Sequence, residues 1–124
     1  MREPAAPLPS SRYDVIAGAV QDTLTGLSWS ERASSQQLDF SAATAECASR
    51  GFRVPSMKEL QTLVDRVRVR PSIDAEFFPE TPSEAFWTSS LVADNPELGW
   101  SVSFELGRSD QSDVSNEFWV RCVR

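Results

Sequence analysis

Residues 117–124, EFWVRCVR, decide how the rest of the chain is read. A strand sends successive side chains to opposite faces, so a period of two groups Phe118, Val120 and Cys122 on one side and Trp119, Arg121 and Val123 on the other. Cys122 then points inward from the last strand. The chain has one other cysteine, Cys47, within DFSAATAECASRG at 39–51. There Ser41 can cap a helix whose Ala43 and Cys47 lie on the same side as Phe40, and Gly51 stands where a left-handed stop is wanted. Two inward cysteines allow a single intramolecular bridge, closing a loop of about 75 residues and contributing about 4 kcal/mol in chain-entropy terms. Two separate buried thiols are the competing reading. Catalytic or metal use has little to stand on, because the chain has no histidine and no close cysteine pair.

Outward from these segments the pattern is dense. PSMKELQTLVDRV, 55–67, sets Ser56 three residues before Glu59, a capping box, and repeats Leu60, Leu63, Val64 and Val67 at helical spacing. The following RPSIDAEFFPETPSEA holds three prolines and predicts an irregular connection pinned by Ile73, Phe77 and Phe78. AFWTSS reads as a short strand. GWSVSFEL alternates Trp100, Val102, Phe104 and Leu106 against Ser101, Ser103 and Glu105, one face core and one face wet. GRSDQSDVSN predicts a long polar turn into the last strand. Near the start, Tyr13–Ile16 and Ala19–Gln21 flank Ala17 and Gly18 as a hairpin, and DTLTG turns into a strand at Leu27–Trp29.

Composition bounds the function. With 40% apolar residues over 124 positions the chain can bury one ordinary core, which predicts a single domain over 13–124. Residues 1–12, MREPAAPLPSSR, are Pro-rich and read as a disordered linker, with an export signal or lipid anchor expected upstream and a cytosolic start as the alternative. A net charge of −6 argues against nucleic acid as partner. No apolar run approaches the roughly 20 residues that span a bilayer, so direct membrane insertion is not expected.

The blocks VQDTLTGLSW, AECASRGFRVPSMKELQTLVD, PSIDAEFFPETPSEAFWTSS, GWSVSFELG and VRCVR, in that order, resemble the Lcl C-terminal domain family, a bacterial domain of unknown function. The resemblance implies an α+β, C-type-lectin-like fold: two helices packed on short antiparallel sheets with long loops, and N- and C-terminal strands adjacent. It also implies a disulfide from the first helix to the final strand, matching Cys47 and Cys122. The expected function is a non-catalytic, extracytoplasmic binding or adhesion module for a surface ligand, with a polysaccharide as the leading candidate. The alternative is a protein-interaction or self-assembly domain, with homo-oligomers within its scope.

Candidate ligand residues fall in two regions of opposite sign. From Arg50 to Arg70 six basic residues face only Glu59 and Asp65, and RVRVR offers Arg66, Arg68 and Arg70 as an anion site, although basic residues at a helix C-terminus also suit the macrodipole. From Asp94 to Glu117 six acids face one Arg108. Asp94, Asn95, Glu97, Arg108, Asp110, Asp113 and Asn116 are the loop candidates there. Their oxygens invite calcium, but the calcium lectins' EPN or QPD with WND is replaced by DNP and FWV, so no cofactor is expected and a calcium site is only a weak signal. Trp119, opposite Cys122 in phase, is the aromatic candidate for stacking on a sugar. No histidine base, phosphate loop or Gly-x-Ser-x-Gly elbow points to catalysis.

Overall fold

Residues 12–124 are described by a computed structural model, and the Pro-rich segment lies outside them except for Arg12. Strands β1 (Tyr13–Ile16) and β2 (Ala19–Asp22) form the expected hairpin. Its two-residue turn places Ala17 at φ 54° and Gly18 at φ 81°, both left-handed, the geometry that matches strand twist. Asp22 then accepts the Leu24 N–H and turns the chain into β3 (Ser28–Ser30), completing an antiparallel sheet in the order β1-β2-β3.

Helix α1 (Phe40–Ser49) begins two residues earlier than the sequence reading places it. Its cap is Asp39, whose carboxylate accepts the Ala42 N–H at 2.8 Å, and Ser41 lies within the first turn. Gly51 takes φ 76° just past its end, as expected. Helix α2 (Met57–Gln61) has the full capping box, Ser56 and Glu59 each holding the other's amide. It is shorter than its periodicity predicts. Leu60 and Leu63 are buried, but Val67 is 94% exposed, because the Asp65 carboxylate takes the Val67 N–H and the Asp65 amide is drawn to the Ser72 carbonyl. These bonds peel the chain away from helical geometry before Val67 can reach the core.

The second sheet, β4 (Ala85–Val92), β5 (Asn95–Ser103) and β6 (Arg108–Asp113), is antiparallel in sequence order. The existence of β6 corrects the polar-turn reading of GRSDQSDVSN. It is an edge strand exposed along almost its whole length, so no burial imposes an apolar period on it, and its register rests on backbone pairing from Leu98↔Asp113 to Ser103↔Arg108. Asp110 caps the Gln111 amide with its own carboxylate, which blunts this edge. The alternation in GWSVSFEL holds for Val102 and Phe104, while Leu106 is 39% exposed and Ser101 is buried. A bulge in β4 turns Ser90 so that its hydroxyl accepts the Met57 N–H at the start of α2.

The closing segment is not a ladder strand but a series of single bridges: Leu38↔Phe118, Phe86↔Trp119 in parallel sense, Trp29↔Val123 and Arg53↔Val123. It therefore adjoins β3 rather than β1, which corrects the expected pairing of terminal strands. Its alternation is real but both faces are buried. Val120 and Cys122 pack with Ala43, Cys47, Val54 and Trp87 in one core, flanked by Phe118. Val123 joins Trp29, Leu60, Ile73, Phe78, Phe86 and Phe104 in the other, with Trp119 against it. The neighbouring β4 divides in the same way, Phe86 to one core and Trp87 to the other. The Cys47–Cys122 disulfide lies within the smaller core, its Cα atoms 5.4 Å apart.

Candidate functional site

Beside the closing segment a cleft of about 300 Å³ is lined by Arg32, Ser34, Ser35, Pro79, Glu80, Pro82 and Trp119. Three separate stretches build it. Residues 32–35 follow β3 and are held by reciprocal bonds: the Ser34 amide donates to the Val120 carbonyl, and the Ser34 hydroxyl accepts the Val120 amide. Residues 79–82 follow the buried Phe78, and their prolines fix the backbone without needing amide partners. Trp119 is half-buried, and its indole N–H donates to Glu84 Oε1 at 2.7 Å. That bond pins the ring, so an aromatic wall stands ready beside hydroxyl and charged groups. Across the rim Arg32 donates to Glu80 at 2.6 Å.

Beneath this cleft lies Arg121, fully buried and with no carboxylate partner among the described residues. Its Nη1 donates to the carbonyls of Ser30 at 3.0 Å and Glu31 at 2.6 Å, and its Nη2 to the Thr81 hydroxyl at 2.7 Å. The guanidinium also sits over Phe78, 4.9 Å from the ring centre, and near Phe86 at 5.9 Å. Nε has no partner. Burial pushes the Arg121 pKa down to about 9, still high enough to keep the charge at neutral pH. One side chain thus ties together the stretches that form two walls of the cleft. The sequence reading placed Arg121 on the strand face opposite Cys122 and did not mark it. An arginine between valine and cysteine in an alternating stretch is the signal that was there to use.

The other candidates do not converge with Trp119. Asp94 takes φ 65° in the β4–β5 turn, and Asn95 Oδ1 accepts the Glu97 N–H. The Val114 amide donates to the Glu97 carbonyl, which brings that end of β5 beside Asp113 and Asn116. Asp113 accepts both the amide and the hydroxyl of Ser115, and the hydroxyl bond holds its carboxyl below the usual range. Asp110 lies mid-strand opposite Ser101, and Arg108 at the far end opposite Ser103. Among the described residues no three acidic or thiol groups gather closely enough to hold a metal ion. Of the anion candidates, Arg68 pairs with Asp65 at 3.0 Å and Asp74 at 3.7 Å, Arg70 pairs with Glu105 at 3.6 Å, and Arg66 makes no ion pair among the described residues.

The two cysteines are bonded to each other, as the phases of helix and strand predict, and no thiol remains free. The family model of the Lcl C-terminal domain matches residues 18–124. The chain belongs to that family. Membership points to a surface-associated domain, and the disulfide of this Lcl C-terminal domain is consistent with an oxidising compartment outside the cytoplasm. None of its described helices is long and apolar enough to cross a membrane. A search of curated proteins finds no match.

Proposed function

We propose that this Lcl C-terminal domain is a non-catalytic binding module of C-type-lectin-like type, working outside the cytoplasm and recognising a surface polysaccharide in the Trp119 cleft. The observation that carries the reading is the Trp119 indole, fixed by Glu84 on the wall of a cleft with the exposed Ser35 and an Arg32–Glu80 pair. Sugar rings stack their C–H faces on aromatic rings and satisfy their hydroxyls with such polar neighbours, and a ring already held in place loses little entropy on binding. The carboxylates near the cleft each hold a protein donor, Glu80 that of Arg32 and Glu84 that of Trp119, so neither is poised for acid or base work.

Binding in this reading needs no metal and is unchanged by EGTA. A glycan array probed with the wild-type domain and with Trp119→Ala tests it. The wild type is expected to retain a defined set of polysaccharides and the variant to lose them while keeping its far-ultraviolet circular dichroism. Equal binding by both proteins, or no glycan bound by either, would reject the site.

A further inference from the structure

The start of β1 borders a second cleft, of about 290 Å³, that shares no lining residue with the Trp119 cleft. Its sides come from Tyr13, from Leu63, Val64 and Arg66 just past α2, and from Asp74 on the connection that follows. Tyr13 is 5% exposed and its ring is held from three sides: Phe78 meets it edge-on at 5.2 Å, Phe77 is tilted against it at 5.5 Å, and the Arg12 guanidinium lies 4.9 Å from its centre. The Tyr13 hydroxyl makes no hydrogen bond among the described residues, and it is not sealed in the core but open to the cleft. Burial pushes its pKa up to about 12, so at neutral pH it keeps its proton and can both donate and accept.

Asp74 is the second buried group of this cleft, its side chain 9% exposed. Its Oδ1 takes the Glu76 amide at 3.0 Å and stands 3.7 Å from Arg68, while Oδ2 has no partner among the described residues and is likewise not sealed in. The neighbouring charges are engaged elsewhere. Arg12 forks onto Asp22 and donates to the Thr62 carbonyl, and Asp65 takes the Val67 amide and the Arg68 guanidinium. Arg66, exposed at the rim, makes no ion pair among the described residues. Arg12, Arg66 and Arg68 balance Asp22, Asp65 and Asp74, yet one carboxylate oxygen, one phenol and one guanidinium keep bonding capacity that no described residue fills. A ligand that displaces water from such groups must return the same bonds. A molecule of no net charge with a pole of each sign does so: ammonium is a strong donor to a buried carboxylate, and a carboxylate is the matching acceptor for a guanidinium.

We propose that this cleft binds a small zwitterion of the amino acid class, its ammonium donating to Asp74 Oδ2 and the Tyr13 hydroxyl oxygen and its carboxylate accepting from Arg66. The cleft is at the lower limit of small-molecule sites in volume, which suits a ligand of that size, and Leu63 and Val64 offer an apolar wall to its side chain. The Tyr13 ring is fixed before the ligand arrives, so little side-chain entropy is lost on binding. The inference is independent of the glycan reading, since Trp119 contributes nothing to this cleft.

Nitrogen-15 chemical-shift titration of the full chain with a panel of free amino acids, each to about 10 mM, tests the proposal. At least one amino acid is expected to shift the Val64, Arg66 and Asp74 amides saturably. Its amide, which lacks the carboxylate, and its N-acetyl derivative, which lacks the ammonium, should each bind at least about tenfold more weakly. Tyr13→Phe removes one oxygen that no described residue uses, so it should weaken binding by at least about fivefold while leaving the urea midpoint in place. Arg66→Gln should bring the amino acid down to the level of its amide, and Trp119→Ala should bind as the wild type does. No shift with any amino acid, or an unchanged affinity in Tyr13→Phe, overturns the proposal. So does equal binding of the amide or the N-acetyl form. Saturable shifts of the same amides by a neutral monosaccharide, with the amino acids silent, would give the cleft to a sugar instead.

Discussion

Reducing the Cys47–Cys122 bond removes a constraint on the unfolded chain more than a contact in the folded one. The two cysteines are 75 residues apart in sequence, and closing a loop of that size restricts the denatured ensemble by about 4 kcal/mol. The burial of Val120 and Val123 and the bridges to Trp29, Arg53 and Phe86 do not run through the sulfur–sulfur bond, so the folded side of the balance should change little on reduction. With an m-value of about 1.5 kcal/mol per molar urea, the loss corresponds to a midpoint lower by about 3 M. Both cysteines are at most 1% exposed, so reductant added to folded protein will act only through opening of the core. The comparison is therefore made on protein reduced in denaturant, refolded and held in reductant, and followed by tryptophan fluorescence. A midpoint lowered by less than about 1 M would refute the reasoning, showing that the denatured chain already keeps helix α1 and the closing segment together.

Three further outcomes are expected. Burial alone would raise the carboxyl of Asp22, yet the fork from Arg12 at 2.8 and 3.0 Å and the Leu24 amide hold it below its ordinary 3.8. A depressed carboxyl stabilises above its unfolded pKa and loses that contribution as pH falls through the lower folded value, so Asp22→Asn should be clearly less stable than wild type at neutral pH, with the gap narrowing in acid-unfolding curves as pH falls below the ordinary carboxylate range. Gly107→Ala should cost at least about 2 kcal/mol in urea melts, because the residue sits at φ 79° and an added Cβ would lie 2.5 Å from Val64 Cγ1; a loss under half of that would mean Val64 yields freely. Arg121→Lys should cost about 3 kcal/mol, since an ammonium cannot reach the Ser30 and Glu31 carbonyls and the Thr81 hydroxyl together. Equal stability of the lysine variant in the same melts would show that charge alone, not the planar fork, is what the site requires.

What could be read from the sequence was local or periodic. The β1–β2 hairpin, the capping box at Ser56 and Glu59 and the stop at Gly51 depend on neighbours within a few residues, and each stands in the structure. The end of α2 was hidden because Val67 fits a helical period that the bonds of Asp65 override. Strand β6 was hidden because an edge strand bathed in water has no apolar rhythm to announce it. The candidate cleft was half visible. Trp119 could be singled out by its phase, but Ser34 meets its backbone neighbour Val120 across 86 positions and Glu84 reaches the indole across 35, and no motif links residues so far apart. Arg121 escaped notice because an alternating strand was assumed to have one wet side, whereas both sides of this segment are dry.

The closing segment supplies side chains to both cores, and its partners are distant in sequence: Arg121 bonds across 91 positions to Ser30 and 40 to Thr81. In the reduced chain, where Cys122 is not tied to Cys47, loop closure of that length is slow, so folding without the disulfide should be limited by the arrival of this one stretch, with earlier hairpins and helices forming only transiently before it docks. Neither core can then be completed first and used as a template for the other. The domain should melt as one cooperative unit, with amide exchange of Val20 in one core and Cys47 in the other governed by the same global opening.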